Sequence, residues 1–192
     1  KNIRVQGGIN DCLFGWKLNG GEAFATPQAA LCYSAEGLGG MSRAYHDFFR
    51  EYIIDPRRVC ARRPVVINHW EATYFDFNNE KLFSIIDEAA KLGVDTFVLD
   101  DGWFGKRDGD TSGLGDWFVN ERKLKGSLKT VIDHCKEKGL KFGQWFEPEM
   151  VSEDSGLYRA YPDWAIVKAG VEPCRGRNQL VLDFTRKEVV DY

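Results

Sequence analysis

The stretch FVLDDGWFG, Phe97 to Gly105, decides how the fold of this chain is interpreted. Its first residues are mostly β-branched or aromatic, which is typical of a strand buried on both faces. Two adjacent carboxylates, Asp100 and Asp101, stand at the end of that strand. Burying one carboxylate is costly, and burying two side by side costs far more unless something compensates their charge. The sequence therefore indicates a function for Asp100 and Asp101 at this strand end.

Strands and helices alternate on either side of this stretch. Apolar strands are predicted at 65–70, 95–101 and 140–149, and amphipathic helices at 78–93 and 127–139. Each helix ends at a glycine, and the first has an asparagine cap ahead of it. Strands that alternate with helices predict parallel βαβ units. Their repeat of roughly 30 residues fits a (β/α)8 barrel and a doubly wound sheet equally well.

The segments that follow the strands favour the barrel. Each predicted strand ends in polar and aromatic residues, and no glycine-rich nucleotide-binding motif follows any of them. These strand-end residues are Asn68, His69, Trp70, Asp100, Asp101, Trp103, Gln144, Trp145, Glu147 and Glu149. Polar and aromatic groups at the carboxyl ends of successive strands are the layout of a barrel active site. The predicted fold class is therefore α/β, with the first βα units of a (β/α)8 TIM barrel.

Residues 1 to about 60 have a different pattern. Two short alternating runs flank Asn19-Gly20, which predicts a β-hairpin, and residues 29–34 are a candidate further strand. Apolar residues at helical spacing predict one amphipathic helix over 41–53. The basic, proline-bounded segment 55–64 is interpreted as a linker and as the domain boundary. A solvated connector explains its arginines better than a nucleic-acid-binding patch does.

Composition excludes several classes of function. The 192 residues are 43% apolar and 29% charged, as in ordinary globular proteins. A net charge of -3 provides no basic surface for nucleic acid or an anionic membrane, and no run of 18 apolar residues occurs. The five cysteines and three histidines are scattered, so neither a metal site nor a disulfide framework is expected. Reduced thiols favour a cytoplasmic location.

Both ends of the chain resemble the interior of a longer sequence. The chain begins at Lys1 rather than at a methionine, and it stops at EVVDY, a pattern typical of the first turn of a helix. We therefore expect the chain to be a fragment.

Tryptophans beside carboxylates indicate a sugar-binding site. The apolar face of a sugar ring stacks on indole, while its hydroxyls donate to carboxylates. On this interpretation Asp100 and Asp101 accept from two neighbouring hydroxyls, and Trp70 and Trp145 line the pocket. A catalytic acid and base must flank the scissile bond, about 5 to 9 Å apart, which two strand neighbours do poorly. The alternatives are that the aspartates cap a loop or pair with a buried arginine, and that the tryptophans belong to the core.

Three further residues are ambiguous. Glu147 and Glu149, a pair of acids spaced by a proline at a strand end, are the first catalytic candidates on the residues alone. Arg177 lies in a segment rich in glycine and asparagine, where a solvated charge is the ordinary interpretation.

Four segments carry a resemblance to a known family. They are NHWEATYFDF, FVLDDGWFGKRDGDTSGLGDW, GLKFGQWFEPEMVSEDSGLYRAYPDW and RNQLVLDFTRKEVVDY. Together with GWKLNGGEAFATPQ and MSRAYHDFFR at the front, they closely resemble the bacterial α-galactosidases, or melibiases, of glycoside hydrolase family 36. Motifs of this length and order are highly specific, and they span nearly the whole chain.

The resemblance implies a retaining α-galactosidase that releases terminal galactose from substrates such as melibiose and raffinose, without a cofactor or metal. It implies that 1–60 is the end of a β-sandwich domain plus a linking helix, and that 61–192 is the first three βα units of the (β/α)8 barrel. It also implies a homo-oligomer, often a tetramer. Related barrels include galactosyl transferases and α-N-acetylgalactosaminidases, and a non-catalytic sugar-binding domain is the competing class.

Matched by position, the resemblance makes five residues substrate-binding: Trp70, Asp100, Asp101, Trp145 and Arg177. It gives Glu147 and Glu149 supporting rather than catalytic roles. The family's nucleophile is an aspartate in a Lys-Trp-Asp motif, and its acid/base aspartate follows later in the chain. Neither motif occurs in these residues. The fragment alone is therefore expected to be inactive.

Overall fold

The computed structural model describes residues 4–10, 14–59 and 61–192. The chain divides into two compact units, Lys1–Arg62 and Arg63–Tyr192. Two of the five cysteines, Cys12 and Cys60, lie outside the described residues. None of the helices that the structure describes is long and apolar enough to cross a membrane.

The first unit is built around one helix. Helix α1 (Gly37–Phe48) continues into a π-helical turn (Phe49–Ile53), which confirms the amphipathic helix expected over 41–53. The side chain of Tyr45 on α1 donates to the carbonyl of Ala30 at 2.9 Å, so this helix holds the preceding segment. A short helix, α2 (Pro56–Val59), begins at a proline within the basic segment, where the missing N–H of proline costs nothing.

The β-hairpin predicted at Asn19-Gly20 forms only its turn. Glu22 N donates to Asn19 O at 3.1 Å, and the rings of Trp16 and Phe24 meet across the turn at 4.7 Å. Within 4–10 and 14–59 the structure contains no strand, so the predicted hairpin and the candidate strand at 29–34 are wrong for this chain. An isolated two-stranded hairpin is marginal in water, and no third strand is described here that would extend it.

A parallel sheet of three strands organises the second unit. Its strands, side by side in chain order, are β1 (Val66–Asn68), β2 (Thr96–Leu99) and β3 (Lys141–Gln144). Phe97 in the middle strand is opposite Ile67 on one side and Phe142 on the other. Because the strands run parallel, their carboxyl ends come to one edge of the sheet. The predicted parallel βαβ arrangement is confirmed.

Helices connect these strands. After β1 a single turn, α3 (Trp70–Thr73), precedes α4 (Asn79–Lys91), and α5 (Leu128–Glu137) lies between β2 and β3. The side chains of Asn78 and Ser127 cap the two longer helices by accepting from backbone N–H groups. The chain leaves these helices at glycines with positive φ, as the sequence predicted.

The longer helices bury one face each against the sheet. The buried members of this core that come from the helices, from β2 and from the residue before β3 are Leu82, Ile86, Ala89, Phe97, Leu99, Val131, Cys135 and Leu140. The helical members lie on the faces that the 3.6-residue periodicity predicted. Full burial of each large apolar side chain contributes about 1.5 to 3 kcal/mol to the free energy of unfolding.

The third strand is shorter than predicted, since the expected strand over 140–149 ends at Gln144. Pro148 lacks the N–H that would continue a parallel ladder. Glu149 instead uses its carbonyl to accept from Leu182 N at 2.9 Å, so the chain has left the parallel sheet by that point.

A second, antiparallel sheet follows, which the sequence did not predict. Its strands lie in the order β4 (Met150–Val151), β6 (Gln179–Val181) and β5 (Arg175–Gly176). Along the chain, helix α6 (Gly156–Ala160) and a 3-10 turn (Pro162–Trp164) lie between β4 and β5, and α7 (Lys187–Asp191) follows β6. These elements share a second apolar cluster made by Val151, Leu157, Trp164, Ala165, Leu180, Leu182 and Val189.

Two leucines of the α4 region give a matched test of this core. Leu82 is fully buried, whereas Leu92 at the carboxyl end of α4 is 81% exposed. Leu82→Ala should lower the free energy of unfolding by about 2 to 5 kcal/mol, because it removes buried methyl groups and leaves a cavity. Leu92→Ala should change it by less than about 0.5 kcal/mol. Urea unfolding followed by circular dichroism measures both, and equal losses would contradict this packing.

Candidate functional site

The carboxyl edge of the parallel sheet gathers the five site residues that the sequence predicted. Trp70 follows β1, Asp100 and Asp101 follow β2, and Trp145 follows β3. Arg177 comes from the two-residue turn between β5 and β6, and its Nη2 lies 3.8 Å from Asp101 Oδ2. The convergence expected from the sequence is therefore present, and it depends on parallel strands that end at one edge.

Asp100 is held at this edge by Asn68. The Nδ2 of Asn68 donates to Asp100 Oδ2 at 2.7 Å, and Asn68 Oδ1 accepts from the backbone N of Trp70 at 3.1 Å. The second oxygen of Asp100 accepts from the backbone N of Asp101 at 2.8 Å. Asp100 is only half-buried, so its carboxylate keeps free acceptor positions facing solvent. One amide thus ties the carboxylate of β2 to the tryptophan of β1.

Asp101 has a different environment, because it is buried against Arg107. The Nε of Arg107 donates to Asp101 Oδ1 at 3.0 Å, and Nη2 donates to Oδ2 at 2.9 Å. Both side chains are almost completely buried, with exposed fractions of 0% and 2%. A bidentate pair of this kind satisfies the planar guanidinium and the carboxylate together. The alternative of a buried arginine partner, left open by the sequence, is what the structure shows for Asp101.

Arg177 lies over the outer side of this pair. Its Nη2 is 2.6 Å from Asp110 Oδ1, and its Nη1 is 3.9 Å from Glu147 Oε2. Its guanidinium is therefore surrounded by the carboxylates of Asp101, Asp110 and Glu147, and it is not the solvated charge of the ordinary interpretation. About half of its side chain remains exposed, so a ligand can still reach it.

The two glutamates after β3 have different environments. Glu147 is mostly buried beside Arg177, and its Oε2 has no hydrogen-bond partner among the residues that the structure describes. Burial raises the pKa of the Glu147 carboxyl, while the nearby charge of Arg177 acts in the opposite direction. Glu149 is exposed, and its backbone carbonyl pairs with Leu182. Of the two acids, Glu147 is the one that belongs to the site.

The two tryptophans have apolar surroundings but remain partly accessible. Trp70 packs edge-on against Tyr74 at 5.2 Å and Phe75 at 5.0 Å. Trp145 lies nearly parallel to Phe104 with ring centroids 6.4 Å apart. Both are half-buried, which leaves part of each indole free to stack on a ligand.

Sequence reasoning missed Arg107 and Asp110. Both lie in the long segment after β2, among other charged residues, and nothing in their spacing separates a buried arginine from an exposed one. The available signal was the pair of adjacent acids, since a buried carboxylate requires a countercharge. In the described part of the chain, no group of three or more metal-ligating side chains is positioned to hold a metal ion.

Comparison with known proteins gives a consistent set of relatives. A family model described as Melibiase matches residues 23–192. The chain is 54% identical over 184 residues to the bifunctional alpha-galactosidase/sucrose kinase AgaSK of Mediterraneibacter gnavus, covering 96% of this chain and 20% of that protein. It is 50% identical over 189 residues to alpha-galactosidase AgaA of Geobacillus stearothermophilus, covering 98% of this chain and 26% of that protein.

A solved structure is similar as well. The crystal structure of an AgaA variant in complex with stachyose matches with a TM-score of 0.84 and 50% identity, covering 91% of this chain and 24% of that one. This chain spans about a fifth to a quarter of the length of the curated relatives it matches.

A buried histidine lies directly beneath this edge. The His69 ring is fully buried, with Phe77 at 4.4 Å, and its Nδ1 lies 2.9 Å from Thr73 Oγ1. Burial lowers the pKa of His69 from 6.5 to about 4. The folded chain therefore keeps this imidazole neutral under conditions in which the unfolded chain protonates it.

This pKa predicts a specific loss of stability in acid. As pH falls from 6.5 to 4, only the unfolded state gains the proton, so His69 should lower the free energy of unfolding by on the order of 3 kcal/mol. A His69→Gln variant should lose this part of the pH dependence while keeping any part due to the carboxylates. Urea midpoints between pH 4 and 7 measure it, and identical pH profiles for the two proteins would show that His69 is not the group involved.

Proposed function

This chain belongs to the Melibiase family, and we propose that the protein containing it is a retaining α-galactosidase. Its substrates are oligosaccharides that end in α-linked galactose, such as melibiose and raffinose. The relatives AgaSK and AgaA are alpha-galactosidases, and AgaA variants form complexes with stachyose and raffinose. Within this chain, the observation that carries the proposal is the convergence of partly exposed indoles, acidic groups and a guanidinium at one edge of a parallel sheet.

The fold that we propose for this edge is the first part of a (β/α)8 barrel. Three parallel strands in chain order, each followed by helical segments, are the arrangement that such a barrel begins with. Residues 61–192 would supply the first three βα units, and 1–60 the end of a β-sandwich domain with its linking helix. Within the described sheet β1 pairs with β2 alone, and its other edge is then where a closing strand would pair.

The residues of this chain bind and orient the sugar in this proposal. Asp100, the accessible acid, accepts from one galactose hydroxyl. The buried carboxylate of Asp101 contributes negative charge to the same site. Arg177 donates to a second hydroxyl, because a guanidinium has only donor groups. Trp70 and Trp145 cover the apolar face of the ring. Hydrogen bonds of this kind give specificity, since a sugar that lacks the matching hydroxyl leaves buried polar groups unpaired.

The setting of the whole protein is also part of the proposal. We place it in the cytoplasm because Cys32, Cys135 and Cys174 are present as free thiols. We further propose a homo-oligomer, most simply a tetramer, as the resemblance implies. No cofactor is needed, since two carboxylates suffice for glycoside hydrolysis.

Asp100→Asn in the whole protein tests the sugar-binding assignment. The substitution keeps the shape of the side chain and removes a charged acceptor, which contributes roughly 1.5 to 3 kcal/mol. We expect kcat/KM for melibiose to fall at least about tenfold. Asp133→Asn, an exposed acid on α5, is the matched control and should keep wild-type kinetics. Wild-type kinetics for Asp100→Asn would refute the assignment, and release of β-galactose as the first anomer would refute retention.

The isolated chain should have no α-galactosidase activity. A retaining mechanism needs two carboxyl groups about 5 Å apart on opposite sides of the anomeric carbon. The acids at this edge all lie around one set of strand ends, and the chain contains no Lys-Trp-Asp motif. Purified 1–192 should therefore give no product from p-nitrophenyl α-galactoside above that of buffer. Turnover by the isolated chain would return a catalytic role to Glu147 or to the aspartate pair.

A further inference from the structure

We infer that Arg107 is a positioning residue for sugar binding, which it controls by fixing Asp101 and, through Asp110, the guanidinium of Arg177. The inference rests on the proposed function and adds two residues to it. Neither residue has to touch the sugar in order to act.

Four side chains form a ring in which positive and negative charges alternate. This charge ring consists of Asp101, Arg107, Asp110 and Arg177. Arg107 Nη2 is 2.9 Å from Asp101 Oδ2, and Arg177 Nη2 is 2.6 Å from Asp110 Oδ1. The two remaining edges are longer, at 3.8 Å from Arg107 Nη2 to Asp110 Oδ1 and 3.8 Å from Arg177 Nη2 to Asp101 Oδ2. Each atom of the ring thus has one close partner and one distant partner of opposite charge.

The two halves of the charge ring differ in burial. The Arg107–Asp101 half is buried completely, whereas about 45% of Arg177 and 44% of Asp110 are exposed. Attraction between unit charges grows as the local dielectric constant falls, so the inner half is the fixed part. The outer half lies where a ligand can reach it. The inner pair therefore sets the position against which Arg177 is aligned.

Further contacts fix the position of the Arg107 side chain. Its Nη1 donates to Ser112 O at 3.0 Å, and its guanidinium lies over the Phe75 ring, 5.6 Å from the centroid. Phe75 in turn packs edge-on against Trp70. A Cβ on Gly113, where φ is +75°, would lie 2.8 Å from the backbone N of Arg107, so the loop closes tightly around it. Arg107 consequently connects the acid, the pocket arginine and the pocket tryptophan.

A purely structural ion pair would support the fold without affecting the affinity for a sugar. The charge ring predicts something more specific. Arg107→Lys keeps the positive charge but removes the two parallel bonds that orient the carboxylate. Asp101 would then turn, and Arg177 would lose one of the three carboxylates that surround it. Sugar affinity should fall although the net charge of the site is unchanged.

The experiment compares Arg107→Lys with Arg122→Lys in the whole protein. Arg122 lies in the same loop and is 72% exposed, so it is the matched control. We expect Arg107→Lys to raise the Kd for free galactose, measured by calorimetry, and the KM for p-nitrophenyl α-galactoside, each about tenfold, with kcat changed less than about threefold. Arg122→Lys should match the wild type. In an Asp101→Asn background, Arg107→Lys should raise the Kd by less than it does alone, because most of its effect passes through Asp101.

Asp110→Asn gives an independent test that does not alter the buried pair, and it serves if Arg107→Lys fails to fold. It should also weaken galactose binding several-fold. Unchanged Kd in either folded variant, or full additivity of Arg107→Lys with Asp101→Asn, would overturn the inference while wild-type binding still supported the proposed function. A wild-type protein that neither binds galactose nor hydrolyses the substrate would overturn both.

Discussion

The buried pair of Arg107 and Asp101 is the constraint on which the edge of the sheet depends. A buried carboxylate without a countercharge is strongly destabilising, so an acid at the end of β2 requires a cation to be brought to it. Arg107 lies six residues further along and reaches back, which forces the intervening chain into a tight loop. Lys123 reinforces that loop, because its buried Nζ donates to the carbonyls of Gly102 and Arg107. The arrangement of the loop thus follows from the charge that it must neutralise.

The regular part of this fold could be predicted from the sequence, since its determinants are local. The period of apolar residues identified α4 and α5, and Asn78 and Gly93 marked where the first of them begins and ends. The antiparallel sheet could not be predicted, because its strands are too short to carry a pattern of their own and β4 pairs with a segment far from it in sequence. The hairpin at Asn19-Gly20 failed for a related reason. Its turn signal is local, but strands need partners.

The candidate site shows the same division. The kinds of side chain at the strand ends indicated sugar chemistry, and parallel topology then made Trp70, Asp100 and Trp145 neighbours. The burial of Asp101 could be suspected from its cost, but not the identity of its partner. The segment after Asp101 contains several cations that could pair with it: Lys106, Arg107, Arg122 and Lys123. Their order in the sequence does not show which one is the partner, and only the folded loop does. Lys106 is exposed, whereas Arg107 is completely buried.

The turn that carries Arg177 has a strained backbone. Arg177 and Asn178 have φ values of 50° and 63°, the geometry of a type I′ turn, which suits asparagine and glycine. Arginine in this region carries a backbone strain of order 1 kcal/mol or more. The ion pair with Asp110 offsets part of that strain, and it also aims the guanidinium at the edge of the sheet. A turn selected for stability alone would have asparagine or glycine at this position. What the arginine provides, and neither of those residues can, is a charge facing the carboxylates of Asp110 at 2.6 Å and Asp101 at 3.8 Å.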